Sequence, residues 1–475
     1  MSWGFTQRNT LALDHNTTGT VYLTVEYELP SAINALEIAV PDFLSAERRS
    51  GFVLEGPHRW RWDQRTDRPW LRFQLQVNRT RGGGYEFVDT GSWALLRCPP
   101  INASWTYTGT AFELQQVYEV DNHGVASSDG NIVYLGSHDE RRFTAGGQQF
   151  RFILPTQASL NSSFEKIAAS LSHAAENLQV GGRNDDVVVI AAPSTVNWGW
   201  GGLHTGSNGF WAVDSSSVTH PSNTWVHEYV HTRQEWNRHH STRWLLEGTT
   251  KLYAALLSYY QGRISFGAFH RYMSTTQHSN SILVDPSAWS SPNAHYTKGR
   301  RVTAALDAEI RRVTGNRHSF QDVFRRLNEV SGDLTHGTFK SIVADVSGAS
   351  LNSWLETYVE GTATPEIPHD PAAFGSPESP SDESEPEESE GRIEEEEPKI
   401  EQQRCQVCDS RVDESDEYCE TCGTTLSKEC PVCGCQVGDE PYCRECGTKL
   451  AEECDVCSYR RHESEQYCPR CGTEF

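Results

Sequence analysis

Several features that would direct a chain into or across a membrane are missing from this sequence. No apolar run reaches the roughly eighteen residues that a membrane-spanning helix requires. The first residues, Met-Ser-Trp-Gly-Phe, lack the charged start and the apolar centre of a secretory signal peptide. We therefore expect a cytoplasmic protein without a membrane segment.

Cysteine is nearly absent from the first 400 of the 475 residues, where Cys98 stands alone. The other thirteen of the 14 cysteines follow residue 400. Disulfide bonds are therefore not expected to hold the larger part of the chain together. Thiolates that bind a metal must stay reduced, so the clustering in the tail also favours a reducing compartment.

Lysine is scarce, with seven lysines against 34 arginines, and the net charge of −23 is unevenly distributed. Residues 364–475 carry 30 acidic and 10 basic side chains, a net of −20, which leaves 34 acidic and 31 basic side chains, a net of −3, for residues 1–363. The acidity is therefore a property of the C-terminal part.

Residues 1–155 are predicted to form an all-β domain. Short runs alternate apolar and polar side chains, as in Val21-Leu23-Val25-Tyr27 and Leu71-Phe73-Leu75-Val77. This period of two, with turns rich in Gly, Asn and Asp, is typical of strands that have one buried face.

Residues 156–363 are predicted to form a second, mainly helical domain with a small sheet, which makes the chain a multidomain α+β protein. Asp186 to Pro193 forms an apolar run typical of a buried strand, and a helix is expected to start near Pro221 and Ser222. Further helices are predicted over residues 247–260, 266–278, 299–314, 319–331 and 351–358.

Residues 364–404 combine Pro and Ser with a run of four glutamates at 394–397 and have almost nothing to bury. This composition predicts a disordered acidic linker that is kept extended by its own charge.

Residues 405–475 contain a repeat of about 25 residues, each unit with two Cys-x-x-Cys pairs. Two such pairs, nine or ten residues apart, suit four thiolates arranged tetrahedrally around zinc, so three tandem zinc ribbons with one structural zinc each are predicted. Disulfides or an iron–sulfur cluster are the alternatives, and Cys435 is not expected to be a ligand. The predicted ligands are Cys405, Cys408, Cys419, Cys422, Cys430, Cys433, Cys443, Cys446, Cys454, Cys457, Cys468 and Cys471.

The most informative motif is the stretch from His227 to His231, His-Glu-Tyr-Val-His. Histidines four residues apart on one helical face can reach a single ion, and Glu228 between them can hold a water molecule against that ion. Three protein ligands plus water are typical of a catalytic zinc, and Glu247 can supply the third ligand. Glu235, four residues after His231, is a rival third ligand if the helix continues. The plainer alternative is that both histidines are polar residues of a buried helix.

These residues, with two further segments, resemble the gluzincin zinc peptidases and most closely the glycyl aminopeptidase-type family. One segment is Tyr296-Thr297-Lys298-Gly299, and the other runs from Val346 to Gly361. The resemblance implies a thermolysin-like catalytic domain over roughly residues 185–365. It implies that His227, His231 and Glu247 bind zinc, that Glu228 is the general base, and that Tyr296 donates to the oxyanion. Without it, Tyr296 would be interpreted as a core aromatic residue.

Two departures from the family pattern bear on specificity. The fifteen residues between His231 and Glu247 imply a shortened loop. The family has Gly-Gly-Leu-Glu on a strand that binds substrate, where the glutamate holds the free amine, and this chain has Gly201-Gly202-Leu203-His204. The resemblance therefore implies substrate binding at these four residues, but leaves open whether the enzyme is an aminopeptidase or an endopeptidase.

Two functions are compatible with these patterns. The first is a zinc peptidase, with one catalytic and three structural zinc ions, that cleaves a peptide or protein substrate. The second is an inactive peptidase fold that acts as a scaffold through protein-binding ribbons. Residues 405–475 carry 16 acidic and 7 basic side chains, so no nucleic-acid partner is expected. The tail is expected either to contact a protein partner or to have a purely structural role.

Overall fold

The computed structural model of the protein describes residues 3–109, 111–121 and 123–375, and two short strands in the tail. The first part of the described chain consists of strands. They are β1 (Trp3–Leu13), β2 (Thr20–Glu28), β3 (Ile33–Ala39), β4 (Ala46–Ser50), β5 (Phe52–Gly56), β6 (Arg59–Trp62), β7 (Trp70–Gln76), β8 (Arg79–Arg81), β9 (Gly84–Asp89), β10 (Ala94–Leu96), β11 (Asn102–Tyr107), β12 (Phe112–Val120), β13 (Gly124–Ala126), β14 (Val133–Leu135), β15 (His138–Ala145) and β16 (Gln148–Pro155).

From residue 164 onward, helices dominate the described chain. The elements are α1 (Phe164–Asn177), β17 (Asp186–Ala192), β18 (Gly202–Gly206), β19 (Gly209–Val213), α2 (Thr224–His231), β20 (Asn237–Arg238), α3 (Arg243–Tyr260), α4 (Phe266–Met273), α5 (Ala294–Thr314), α6 (Phe320–Asn328), β21 (Asp333–Leu334), α7 (His336–Ser347), α8 (Asn352–Tyr358), β22 (Lys428–Glu429) and β23 (Gln436–Val437). The expected mixture of a β-rich N-terminal domain and a helical domain is confirmed.

Strands β1–β14, here called the β domain, form three sheets with the orders β12-β1-β2-β7-β4, β11-β3-β6-β5 and β13-β14-β10-β9-β8. The two runs that predicted strands are neighbours: β2 and β7 pair antiparallel, with Val21 opposite Leu75 and Leu23 opposite Phe73. All four of these side chains are buried, at 5 % exposure or less. Their alternation therefore marks the face that packs into the core of the β domain.

The helical domain (residues 138–375) is built on a five-stranded sheet with the order β15-β16-β17-β19-β18. Both faces of its central strand β17 are buried. Val187, Val189 and Ala191 pack into the helical core, whereas Val188 and Ile190 pack into a separate cluster with β-domain residues such as Leu95. This continuous burial explains why the segment is an unbroken apolar run, because a strand covered on both faces has no polar side.

Local signals set several helix limits. Ser163, Ser265 and Thr335 cap the N-termini of α1, α4 and α7, and each side chain accepts a hydrogen bond from a backbone N–H of the first turn. Gly315 and Gly348 end α5 and α7 in the left-handed conformation that glycine adopts without strain.

The helix predictions were right in kind and inexact in extent. Helix α3 begins at Arg243 and α5 at Ala294, both earlier than expected, and α4 ends at Met273. Helix α7 was not expected, although its Thr cap and terminal Gly348 are the signals that the other helices show. Both early starts matter for the site, because they place Glu247 and Tyr296 inside helices.

Two of the expected domain boundaries do not coincide with breaks in the packing. Strand β16 ends at Pro155 and pairs in parallel with β17, so the expected boundary at residue 155 falls between two strands of one sheet. The first residues of the expected linker are also packed, since Ile367 and Phe374 are buried in the helical core at 4 % and 0 % exposure. The prediction of an extended linker is therefore wrong for residues 364–375, because these two apolar side chains hold the segment against the helices.

A hairpin of the β domain, formed by β8 and β9, joins the chain immediately before β18. The Tyr85 N–H donates to Asn197 O at 2.8 Å, and the Gly199 N–H donates to Tyr85 O at 3.0 Å. A β-carbon on Gly84 would lie 2.4 Å from the carbonyl carbon of Trp198, so this approach of two backbones requires glycine. We call this contact the hairpin joint.

The predicted zinc ribbons and the linker from residue 376 onward lie outside the described residues, apart from one strand pair. Strands β22 and β23 pair antiparallel and flank, in sequence, Cys430 and Cys433. Among the described residues no helix is long and apolar enough to cross a bilayer.

Candidate metal centre

Helix α2 carries the two motif histidines, and its start is fixed by a buried cap. The Asn223 side chain accepts from the Val226 N–H and donates to the hydroxyls of Ser170 and Ser258, each at 3.0 Å. Asn223 is fully buried, so these bonds anchor the first turn of α2 to α1 and α3. The helix ends at His231, four residues after His227, which leaves both imidazoles on one face.

Glu247, in the second turn of α3, lies between the two imidazoles. Its Oε2 is 3.4 Å from His227 Nε2, and its Oε1 is 3.5 Å from His231 Nε2. All three residues are buried, with 4 to 7 % exposure, and their candidate ligand atoms lie within 4.8 Å of one another. The structure therefore brings together the three residues that were predicted to bind zinc.

The spacing fits a zinc ion. Nitrogen and oxygen ligands at ordinary zinc distances in tetrahedral geometry are about 3.4 Å apart, close to the separations observed here. Oε2 of Glu247 is buried and has no hydrogen-bond partner among the described residues, which is costly for a carboxylate oxygen unless an ion accepts its lone pair. Two imidazoles and a carboxylate are also a common catalytic zinc set.

The surroundings of the cluster favour the unprotonated forms of two of its three side chains, His227 and Glu247. Burial lowers the pKa of His227 to about 3. Burial opposes ionisation of Glu247, but His231 and His227 outweigh it and hold the pKa of Glu247 well below its usual value. His231 is the exception, because Glu247 raises its pKa against the effect of burial. A metal ion would therefore compete with protons mainly at His231.

Gln234 orients His231, a role that was not predicted from the sequence. Its Oε1 lies 2.8 Å from His231 Nδ1, and its Nε2 donates to Leu246 O at 2.9 Å and to Thr250 Oγ1 at 3.2 Å. Gln234 accepts at Oε1, so His231 Nδ1 carries a proton and Nε2 is the nitrogen that faces Glu247. The same side chain ties the end of α2 to α3.

Glu228 is buried beside the three-residue cluster and points to the strand β18. The His204 backbone N–H donates to its carboxylate, and its Oε1 lies 4.0 Å from His227 Nε2. Burial raises the pKa of Glu228 to about 7. A carboxylate with a pKa near neutrality, next to the cluster rather than within it, is suited to take up and release a proton.

Tyr296, in the first turn of α5, faces the same cluster. Burial raises its pKa well above the usual value for a phenol, and the charges of Glu247 and Glu228 and a hydrogen bond to Glu247 add to that effect. The Lys251 ammonium lies 5.6 Å from the centroid of its ring. Tyr296 is therefore a protonated hydroxyl donor at neutral pH.

The rest of the Tyr-x-Lys-Gly element is structural. Lys298 is fully buried, and its ammonium donates to Ser281 O at 2.7 Å and to Gly361 O at 2.9 Å. A β-carbon on Gly248 of α3 would lie 3.0 Å from Gly299 O, so α3 and α5 cross closely at this point. The crossing sets the distance between Glu247 on one helix and Tyr296 on the other.

Residues 201–204 lie at and beside the cluster, on the edge strand β18 and just before it. His204 is the nearest of them: its ring stacks on His231, with centroids 4.3 Å apart and an interplanar angle of 21°. Burial lowers the pKa of His204 to about 2, so the ring is neutral. His204, Glu228 and His231 form a second group within 4.8 Å, which is less buried than the first because His204 is partly exposed.

A cleft of about 420 Å³ opens beside these residues, with His204, His231, Gln234, Trp236, Asn237, Arg238, Leu246 and Asp333 on its walls. Glu235 does not contribute to it. Helix α2 ends before Glu235, whose exposed side chain lies against Gly182, so Glu235 is not near the histidines. The premise that made it a rival ligand, a continuing helix, does not hold.

Comparison with known proteins gives a likeness at the level of structure. No protein-family model matches this sequence, and no curated protein matches it. A mutant M1 zinc metallopeptidase from Deinococcus radiodurans, solved with a Tyr-Ser-Ala substrate, is 14% identical and has a TM-score of 0.50 over 77% of this chain and 95% of that chain. A two-domain M1 zinc metallopeptidase mutant bound to L-tryptophan is 13% identical, with a TM-score of 0.50 over 78% and 96% of the two chains.

The fold is that of M1 zinc metallopeptidases. An aminopeptidase N family protein from Idiomarina loihiensis also matches, at 13% identity and a TM-score of 0.48 over 74% of each chain. The expectation of a gluzincin-type fold is confirmed by the two structures with a TM-score of 0.50. The closer resemblance to the glycyl aminopeptidase-type family stays a prediction.

Proposed function

We propose that the protein is a zinc-dependent peptidase whose ion is held by His227, His231 and Glu247. One observation carries this proposal: both oxygens of the buried Glu247 carboxylate face an imidazole nitrogen at 3.4 and 3.5 Å, the edge length expected for ligands of one zinc. The M1 structures with a similar fold, one of them solved with a Tyr-Ser-Ala substrate, support a peptide as substrate.

Each residue has one role in the proposed reaction. Zinc, when bound, polarises the scissile carbonyl and makes a water molecule more acidic. Glu228 takes the proton from the attacking water and passes it to the leaving amine, for which its raised pKa of about 7 is suited. Tyr296 donates a hydrogen bond to the developing oxyanion. Its raised pKa keeps the phenol protonated throughout the reaction.

The supporting residues act through the others. Gln234 keeps Nε2 of His231 turned toward Glu247. Strand β18 presents backbone groups beside Glu228, and the cleft next to His204 has room for side chains of an extended peptide. The neutral ring of His204 stacks on His231. It stands at the position where the family pattern has the glutamate that holds the substrate amine.

We also propose that the twelve paired cysteines of residues 405–471 hold three structural zinc ions and that the acidic tail contacts a protein partner. Their spacing and the excess of acidic over basic side chains support this part of the proposal.

Replacement of Glu228 tests the peptidase against the inactive scaffold. Glu228→Gln keeps the shape of the side chain and removes the base, so zinc content should stay at the wild-type level while cleavage of a peptide library falls by roughly 100- to 10,000-fold. Glu235→Gln, an exposed carboxylate seven residues away, is the control and should keep full activity. Wild-type activity in Glu228→Gln, or no cleavage by zinc-loaded wild type, would exclude the proposed reaction.

A further inference from the structure

Arg300 is buried inside the helical domain, and the described residues offer no partner for its charge. It lies on α5, four residues after Tyr296, and is 2 % exposed. Its Nε and Nη2 atoms are buried, and neither has a hydrogen-bond partner among the described residues. None of the ion pairs found among those residues includes Arg300. A buried charge is costly unless it is paired, so an anion beside this guanidinium would stabilise the fold.

The two unpartnered atoms form one edge of the guanidinium. The N–H bonds of Nε and Nη2 point to the same side and are nearly parallel, the arrangement with which arginine binds a carboxylate or a similar anion through two hydrogen bonds. Of the arginines that the structure describes, only Arg300 has both atoms of this edge buried and unpartnered, whereas Arg72 and Arg233 are unpartnered at Nε alone. Arg300 therefore presents a two-donor edge that no described residue uses.

The ring of Tyr272, on α4, covers one face of this guanidinium. Cζ of Arg300 is 3.9 Å from the ring centroid. The ring attracts the cation, but it lies over the face of the guanidinium and carries no negative charge, so it does not replace an anion at the edge. The Tyr272 hydroxyl is also buried and has no hydrogen-bond partner among the described residues. Tyr272 thus adds a further donor close to Arg300.

The neighbouring cations of α5 have partners that Arg300 lacks. The Lys298 ammonium donates to two backbone carbonyls, at 2.7 and 2.9 Å. The Arg301 guanidinium donates to three backbone carbonyls, at 2.6 to 3.2 Å. The packing around this part of α5 therefore satisfies two cations with backbone oxygen atoms and, among the described residues, provides none for the edge of Arg300.

We propose that Arg300 holds a small monovalent anion, such as chloride, nitrate or formate, in a buried site between α4 and α5. The burial favours a free ion over a carboxylate of a peptide substrate, because a side chain with 2 % exposure is closed to an extended chain. An ion of this size can accept from Nε and Nη2 together. It would offset the buried charge and connect α5 to α4, one helical turn beyond Tyr296. The site does not depend on the proposed peptidase function.

Anion-dependent stability tests the site in the full-length zinc-loaded protein. Exchange of gluconate for chloride at constant ionic strength, up to about 200 mM, should raise the melting temperature of the wild type by at least about 3 °C along a saturating curve. Nitrate and formate should act like chloride, whereas gluconate is too bulky for a buried site. Equal melting temperatures of the wild type in chloride and in gluconate would overturn the proposal.

Two variants and a control assign the response to Arg300. Arg300→Met removes the charge, so it should melt in gluconate at least as high as the wild type and lose the response to chloride. Chloride bound to the zinc ion would persist in this variant and is thereby subtracted. Arg301→Met loses three hydrogen bonds, so it should melt lower and keep the response. Arg300→Lys keeps a charge without the two-donor edge and should respond more weakly, and it takes the place of Arg300→Met if that variant does not fold. Responses equal to that of the wild type in the Arg300 variants contradict the site.

Bromide, which scatters X-rays anomalously, locates the ion. Crystals of the wild-type protein grown with sodium bromide should show an anomalous peak in hydrogen-bond contact with Nε and Nη2 of Arg300. Peaks only at the zinc ion or at the protein surface would overturn the proposal, even if chloride raises the melting temperature. Neither measurement uses peptide cleavage, so an inactive protein with bromide at Arg300 would refute the peptidase and keep the anion site. An active peptidase without that peak would do the reverse.

Discussion

The backbone of Gly202 lies so close to the Glu228 side chain that a β-carbon does not fit between them. Built on Gly202, that carbon would stand 2.8 Å from both Cγ and Oε1 of Glu228. Contacts this short do not occur without a shift of one partner. The strand β18 thus approaches the proposed base through bare backbone, and this accounts for the second glycine of Gly201-Gly202-Leu203-His204.

Gly202→Ala should therefore displace Glu228 and leave the metal ligands in place. We expect a loss of peptide cleavage of roughly 10- to 100-fold, with unchanged zinc content, and a cost of about 1–3 kcal/mol in unfolding free energy from overpacking. Gly201→Ala is the matched control, because its β-carbon would have 3.8 Å to the nearest atom, Thr224 Oγ1. Equal activity of the two variants would contradict the contact.

Loss of Gln234 should weaken zinc binding. Gln234→Leu removes the acceptor of the His231 Nδ1 proton, and we expect the zinc Kd to rise about 10- to 100-fold in a chelator competition. Gln234→Glu keeps an acceptor oxygen and should restore most of the affinity. The exposed Gln149→Leu serves as control. A purely structural role of Gln234 would lower the melting temperature of the metal-free protein and leave the Kd unchanged.

The crossing of α3 and α5 should not tolerate an alanine at Gly248 but should tolerate one at Gly299. A β-carbon on Gly248 would lie 2.6 Å from Thr303 Oγ1 and 3.0 Å from Gly299 O, whereas one on Gly299 would have 3.4 Å to Trp244 O. Gly248→Ala should cost about 1–3 kcal/mol and reduce activity by moving Glu247 away from Tyr296. Gly299→Ala should be close to neutral, since alanine also favours the helix by about 1 kcal/mol. Thermal unfolding and activity assays of the pair decide this.

Buried Lys298 should give the protein a pH-dependent component of stability. Burial lowers its pKa from 10.5 to about 8, so between these pH values the unfolded chain binds more protons than the folded one. The contribution of Lys298 to stability therefore rises with pH across that window, by up to about 3 kcal/mol. In urea titrations, wild type should gain stability relative to Lys298→Met from pH 8 to 10. The difference between wild type and Lys166→Met should stay flat.

Metal content distinguishes the catalytic site from the tail. We expect four zinc ions per chain in the full-length protein. The variant His227→Ala, which lacks one ligand of the catalytic ion, should keep three, and the protein without residues 401–475 should keep one. Elemental analysis of the purified proteins measures this directly. Loss of fewer than three ions with the tail would contradict three ribbons, and an unchanged zinc content in His227→Ala would contradict the ligand assignment.

The sequence carried most of the information about the cluster itself. The spacing of His227 and His231 places both on one helical face wherever the helix forms, and Glu247 lies in a second helical pattern. The sequence alone could therefore predict that these three residues form one cluster. Tyr296 could be selected only through a family resemblance. A partly buried tyrosine near the start of a helix has no local signal that separates a donor from a core residue.

Contacts between distant segments left no such signal. Gln234 reaches His231 through the turn after α2, and Lys251 lies over the Tyr296 ring only because α3 packs on α5. The burial of Ile367 and Phe374 was hidden by their acidic and proline-rich surroundings, because composition averages over a segment and two apolar side chains suffice to hold it. Pairing of β16 with β17 likewise depends on a partner beyond the expected boundary.

The hairpin joint makes the position of β18 depend on the β domain. Gly84 and Tyr85 belong to the β domain. The backbone that they contact at Asn197 and Gly199 leads directly into β18 of the helical domain. Without the β domain, that backbone would lose both hydrogen bonds to Tyr85. A substitution at residue 84 would therefore disturb the backbone that leads into β18 without changing any residue of the cleft.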